Sequence, residues 1–294
     1  MKRGYSQSPS SSTPPPSTRF KSNPEDIDFV LLLRKTKQIK SVLIQLYARP
    51  DDAVLDLACG KGGDLIKWDK ARIGYYVGID IAEGSIEDCR TRYNGDADHH
   101  QRRKKFSFPS RLLCGDCFEV ELDKILEEDA PFDICSCQFA MHYSWTTEAR
   151  ARRALANVSA LLRPGGVFIG TMPDANVIIK KLREAEGLEI GNSVYWIRFG
   201  EEHSRKYSDD DSRCILLQKF KSSSPFELMR RLGALGDGNQ DQSTLSADEW
   251  EAAYLYLSFV LRKRGEYDGA QRRGGRRKNG KMNLSKDDVL YIDN

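Results

Sequence analysis

Acidic side chains and glycines recur in this chain at spacings that could hold a charged ligand. In Val54-Leu55-Asp56-Leu57-Ala58-Cys59-Gly60-Lys61-Gly62-Gly63-Asp64 an apolar run passes into a glycine turn. Gly60, Gly62 and Gly63 supply backbone where a Cβ would block a left-handed turn or the approach of a ligand. A second apolar run, Tyr75 to Ile79, ends at Asp80, 20 positions beyond Gly60. At that spacing a carboxylate meets ribose hydroxyls in a doubly wound nucleotide-binding sheet. Asp116 closes a third run and Gln138 a fourth, with His142 and Tyr143 just beyond. The turn reads G-K-G-G rather than G-x-G-x-x-G, and Asp56 lies in the strand leading into it. An acid there repels a pyrophosphate but suits a cation, such as the amino group of a methionine moiety. The pattern favours S-adenosylmethionine, a sulfonium without phosphate, over a dinucleotide.

These side chains meet only if the runs that carry them are parallel neighbours. Asn23-Pro24-Glu25 reads as a helix start, with Asn as N-cap and Pro first in the helix. Phe29, Leu32, Leu33, Ile39, Leu43 and Leu46 then mark one apolar face. Strands follow at Ala53 to Leu57, Tyr75 to Asp80, Phe106 to Gly115, Asp133 to Phe139 and Val167 to Thr171. Helices are expected at Asp64 to Trp68, at Gly84 to Arg92, and around Leu155, Val158, Leu161 and Leu162, where Arg163-Pro164-Gly165-Gly166 stops the last. Ala253 to Val260 is a further apolar strand. Alternation of this kind predicts an α/β fold, a doubly wound and mostly parallel sheet with helices on both faces. Ligands of such sheets sit beyond the carboxyl ends of the strands, where Asp56, Asp80, Asp116 and Gln138 to Tyr143 all fall.

Composition sets the outer limits. The 294 residues suffice for one domain of this kind, and a net charge of +3 names no partner by itself. Residues 1–22 are Ser/Pro-rich and read as a disordered tail, 23–263 as the folded domain, and 264–294 as a basic, disordered tail. Arg272-Arg273-Gly274-Gly275-Arg276-Arg277-Lys278 suits a nuclear-import signal or a phosphate-binding arm, and equally a solvated charge run. No run approaches the ~18 apolar residues of a membrane span, and no signal-peptide core opens the chain, so it reads as intracellular. The seven cysteines then read as reduced thiols. Cys114 and Cys117 with Cys135 and Cys137 raise a zinc site, but both pairs fall at strands where small buried residues are wanted, so no metal is assigned. His99 and His100 read as solvated within a polar loop over 94–105.

The chain resembles the mRNA cap guanine-N7 methyltransferases, most nearly the plant forms. Leu55-Asp56-Leu57-Ala58-Cys59-Gly60-Lys61-Gly62-Gly63-Asp64-Leu65, Gly78-Ile79-Asp80-Ile81-Ala82, and Phe132 to Phe139 with His142-Tyr143 carry the likeness. Pro164 to Thr171 and Leu245-Ser246-Ala247-Asp248-Glu249-Trp250-Glu251-Ala252 extend it, over roughly Lys40 to Phe199 and Glu227 to Lys263. It implies a Rossmann-like class I methyltransferase: a nuclear, monomeric enzyme of the capping and transcription machinery that methylates N7 of the guanosine cap of mRNA. The resemblance assigns Lys40, the backbone at Ala58, Asp80, Asp116, Gln138 and Tyr143 to S-adenosylmethionine, beside Asp56 and Gly60 from the acid–glycine pattern, with Asp80 on the ribose and Asp116 at the adenine edge. It assigns Lys61, Lys67 and Arg92 to the cap triphosphate, and His142 and Tyr256 to the guanine. Core packing or plain solvation remains open for Lys67, Arg92, His142 and Tyr256. Guanine N7 has a free lone pair at neutral pH, so no general acid or base is assigned; His142 and Tyr143 serve alignment.

Two departures from that family stand out. The Asn-Asn-Trp segment expected before Lys40 is replaced by Thr36, Lys37 and Gln38, and Phe29 to Lys35 does not resemble the family. Residues 200–226 are polar and too short for the substrate-side insertion and the sheet's sixth strand, so no acid is nominated to read the guanine edge. The expectation is an intact cofactor half, an impaired cap half, and an open edge on the Ala253 to Val260 strand. A methyltransferase of another substrate, or a non-catalytic cofactor- or RNA-binding form, is the alternative.

Overall fold

The computed structural model describes residues 39–95, 106–200, 247–265 and 279–292. Seven strands form one sheet: β1 (Ala53–Leu57), β2 (Tyr75–Asp80), β3 (Ser110–Cys114), β4 (Phe132–Gln138), β5 (Leu162–Pro173), β8 (Tyr256–Arg262) and β9 (Val289–Tyr291). Their order is β8-β5-β4-β1-β2-β3-β9. All neighbours are parallel except β5 and β8. A separate hairpin joins β6 (Glu189–Gly191) and β7 (Trp196–Arg198).

Helices cover both faces, which is why the central strands are apolar throughout rather than alternating. On one face Ala53, Leu55 and Leu57 of β1 meet Leu122 of α4 (Leu122–Ile125) and Ala154, Val158 and Leu161 of α5 (Glu148–Leu161). On the other, Val54 meets Leu43 of α1 (39–47), Trp68 of α2 (Leu65–Ala71) and Ile86 of α3 (Glu83–Asn94). Two further helices lie among the described residues: α6 (Ala175–Glu184), started by the Asp174 side chain accepting from Asn176 and Val177 N–H, and α7 (Ala247–Tyr254).

The predicted doubly wound sheet is present, and β1 and β2 begin and end where the sequence puts them. Several expectations need correction. β3 is shorter than Phe106 to Gly115, because Phe106 and Phe108 leave the sheet to pack against Tyr93. β5 starts at Leu162, before the Pro-Gly-Gly, with a register shift opposite Phe132 and Ile134. Ala253 belongs to α7, and the strand after it starts at Tyr256. Leu46 is exposed, whereas Val42 and Ile44 join Ile39 and Leu43 in the core. The helix start at Asn23, the 96–105 part of the polar loop and residues 201–226 lie outside the described residues. Among the described residues β8 has no neighbour on its outer side, and the residues expected to be too short for a sixth strand lie outside those described.

The tail differs most from expectation. Residues 279–292, read as disordered, include β9, which pairs with β3 through Leu112 to Cys114. Val289 and Leu284 enter the core beside Leu112, and that apolar burial outweighs the basic composition just before it.

At Gly170, opposite Phe259 in β8, a Cβ would strike the Phe259 ring and the Cys137 carbonyl. Gly170→Ala is expected to cost about 1–3 kcal/mol through overpacking, read as a lower urea midpoint with an unchanged m-value.

Candidate active site

Parallel strands bring their carboxyl ends to one rim, and the order β4-β1-β2-β3 lays Gln138, Asp56, Asp80 and Asp116 side by side along it. Asp80 holds the rim together. One of its oxygens accepts from Gly60 N–H at 2.8 Å, the other from Ala82 N–H at 2.9 Å. The glycine turn is thereby tied to the end of β2, and Cys59 N–H adds a bond to Ile79 O at 3.0 Å. Gly60 has φ +54°, and a Cβ built there would meet nothing within 4 Å, so its surface faces open space. Gly62 is needed for another reason: a Cβ would collide with Cys89 Sγ and Leu65. Ala58 (φ 53°) and Phe139 (φ 62°), just past β1 and β4, are left-handed without being glycine. Such backbone persists only where its surroundings enforce it, and it concentrates at ligand sites.

Asp56 is buried, and the Tyr76 and Ser136 hydroxyls hydrogen-bond to it, Tyr76 at 3.0 Å. Burial, then the nearby Asp64, push its carboxyl up to about 7, against the pull of Lys40. Burial also opposes the charge on Asp64, but Lys40 at 3.0 Å and Lys67 at 2.6 Å outweigh it and hold that acid below its ordinary range. Lys40 also lies 5.4 Å over the Phe139 ring.

Asp116 accepts from Phe118 N–H at 2.9 Å and from Arg150 Nη2 at 2.8 Å. Sequence reasoning did not single out Arg150, which also pairs with Glu119 and has a buried Nε without a partner among the described residues. Gln138 is tied within the sheet: it accepts from Thr171 Oγ1 and donates to Ser136 Oγ, both at 3.2 Å.

The cations assigned to the cap gather at the glycine turn. Lys67 donates to Gly63 O at 3.2 Å, and an Arg92 nitrogen lies 3.9 Å from where a Gly63 Cβ would be. Lys61 forms an exposed pair with Asp88. His142 sits in a 3-10 turn (Met141–Thr146), its ring 4.1 Å from that of the exposed Tyr143. Its Nδ1 is buried without a partner among the described residues. Burial lowers its pKa, so the ring is neutral at physiological pH. Tyr256, the first residue of β8, meets Phe139 edge-on at 5.3 Å. Cys114, Cys117, Cys135 and Cys137 are buried thiols, all raised by burial. His99 and His100 lie outside the described residues.

An open glycine surface, a carboxylate with lone pairs remaining and an acid that a cation would satisfy fit the group the sequence implies. The fold and this rim are those of a class I S-adenosylmethionine-dependent methyltransferase. Within that class the chain belongs to the mRNA (guanine-N(7))-methyltransferase family, whose domain model matches residues 26–212 and 208–264. The match starts before Phe29, so the likeness reaches further towards the N-terminus than Lys40. A relative from Arabidopsis thaliana, mRNA cap guanine-N(7) methyltransferase 1, is 68% identical over 382 positions covering all of both chains. Since this chain has 294 residues, about 88 of those 382 positions have no counterpart in it. The Oryza sativa protein of the same name is 60% identical over 91% of this chain and 84% of its own. A Schizosaccharomyces pombe mRNA cap guanine-N(7) methyltransferase is 39% identical over 80% and 76%.

The raised Asp56 carboxyl has a stability consequence. Because its folded pKa lies above the unfolded value, its contribution is complete below about pH 4 and is lost as pH rises through about 7. Asp56→Asn mimics the protonated form. In ligand-free protein it is expected to gain on the order of 2 kcal/mol relative to wild type between pH 4.5 and 7.5, by urea denaturation at each pH.

Proposed function

We propose that this chain transfers a methyl group from S-adenosylmethionine to N7 of the guanosine cap of mRNA, acting in the nucleus as a monomer. The observation that carries the reading is the Asp80 carboxylate, which braces the glycine turn while each oxygen keeps a lone pair for a ribose hydroxyl. When bound, S-adenosylmethionine supplies an electrophilic methyl on a sulfonium. Asp56 would face its amino group, Asp116 the adenine edge, and the backbone from Ala58 to Gly60 would line its path, with Gln138 and Tyr143 beside it. Lys40 acts through its pair with Asp64 and its place over Phe139.

N7 attacks with its own lone pair and the product cation stays on the purine, so no proton has to be moved. His142, neutral and with an unpartnered Nδ1, fits this: it can orient the base without acting as an acid. Tyr143 and Tyr256 offer π faces to the charge that develops on the purine. Alignment is the main source of rate, worth up to roughly 7–11 kcal/mol in well-oriented systems. Lys61 and Arg92 would meet the triphosphate, as cations suit its oxygens.

The cap side is reduced. The two pieces of the family match meet at residues 208–212, and about 88 positions of the Arabidopsis thaliana relative are missing, which favours a weakened guanine-reading site. That same observation favours the second reading, a methyltransferase acting on another substrate.

Methyl transfer to capped RNA, beside uncapped RNA and GTP, tests the proposal. Turnover confined to capped RNA supports it, and turnover on none of the three refutes it. Asp80→Asn should weaken S-adenosylhomocysteine binding at least about tenfold by isothermal titration, as loss of charge-assisted bonds to ribose predicts. Arg92→Ala should leave that affinity unchanged and raise KM for capped RNA.

A further inference from the structure

The segment before and through β9 is fastened to α3, which starts just after Asp80, and to β3, which ends just before Asp116. Ser110 and Lys281 exchange both backbone bonds at 2.9 Å, and Tyr93 Oη donates to Lys281 O at 2.9 Å. The Asn94 side chain bonds both the N–H and the carbonyl of Leu284, at 3.0 and 2.7 Å, and Arg90 adds a bond to that carbonyl at 2.8 Å. The strand then runs to the carboxyl rim. Ile292 N–H donates to Cys114 O at 2.8 Å, and its side chain packs where a Gly115 Cβ would stand. On its other side Gly115 N–H donates to Asp80 O at 2.9 Å. The Gly115–Asp116 turn is therefore held between Asp80 and Ile292. Tyr291 Oη donates to Glu83 Oε1 at 3.2 Å, in the first turn of α3. Between these points Ile81 is 63% exposed and Tyr291 55%.

We infer that the carboxyl-terminal strand forms part of the adenine end of the cofactor cleft. Ile292 is a positioning residue for the Asp116 turn and Tyr291 for Glu83. The inference rests on the proposed roles of Asp80 and Asp116. The chemistry it would read is adenine itself: Asp116, held by Ile292, can accept from an exocyclic amino group but is repelled by a carbonyl at the same position.

The test uses the full chain and two ligands, S-adenosylhomocysteine and S-inosylhomocysteine, which carries a carbonyl where adenine has its amino group. Wild type should prefer the adenine form. Ile292→Ala should bind S-adenosylhomocysteine about fivefold more weakly, the scale on which residues in contact couple. Its preference for adenine over hypoxanthine should fall, and Ile292→Val should recover most of both. Tyr291→Phe should weaken binding less and in the same direction. If Ile292→Ala does not fold, Ile292→Val and Tyr291→Phe decide the matter by the same ratio. A ratio unchanged in the variants overturns the inference, as does a wild type that binds both ligands equally. A wild type that binds neither refutes the functional reading itself.

Discussion

The carboxylate of Asp80 reaches from the end of one strand to the backbone of the turn that follows its neighbour, and the rest of the rim takes its shape from that bond. Gly60 N–H is fixed by one oxygen and Ala82 N–H by the other, so the turn after β1 and the entry to α3 move as one piece. The bond forms only because β1 and β2 are parallel and in register from Ala53 against Tyr75 to Leu57 against Ile79. Burial on both faces sets that register. The left-handed backbone at Ala58 and Phe139 depends on the same rigidity, since two central strands supply the constraint without which those residues would relax.

Behind the turn lies an uneven balance of charge. Two acids, Asp56 and Asp64, are buried close together, and both cations in contact with them go to Asp64. Asp56 is left with hydroxyl partners and a carboxyl that resists ionisation. A pocket arranged this way accepts a cation more readily than an anion, because the arriving charge relieves a penalty already present. This also separates the lysines by role. Lys40 and Lys67 are committed to Asp64, whereas the exposed pair of Lys61 with Asp88 is worth little and gives way easily. Lys61 is thus freer than Lys67 to take the triphosphate role proposed for it.

What the sequence made legible follows from locality. β1 and β2 were readable because a strand buried on both faces is a continuous apolar run, and Asp80 because its distance from Gly60 is set by one strand–helix–strand unit. Arg150 was not: it stands among Arg152 and Arg153 on a charged helix, and only the fold shows that it alone reaches Asp116. The Tyr76 hydroxyl was hidden the same way, since a tyrosine in a strand reads as core. β8 was misplaced at its start because Ala252 to Leu257 is apolar across a helix-to-strand junction that periodicity cannot divide. β9 was missed because three paired residues after a basic run carry little local signal. Its partner, β3, lies well over a hundred residues earlier.

The two ends of the sheet differ in a way that bears on activity. At the β9 end an added strand covers β3 and braces the turn before Asp116; at the β8 end no strand covers the outer side among the described residues. Under the proposed function, a weakened guanine-reading site bears on substrate recognition rather than on the cofactor. Methylation of N7 moves no proton, so no side chain has to supply chemistry that a shortened substrate region would remove. A missing guanine-reading acid leaves the donor edge of the base unmatched, which costs discrimination and affinity, since buried polar groups are selective through the partners they lack with the wrong ligand. The methyl-transfer step depends instead on how well N7 is held in line once bound. Under the proposed roles, His142 and Tyr143 in the turn after β4 and the Phe139–Tyr256 pair between the ends of β4 and β8, on either side of β5, keep that alignment.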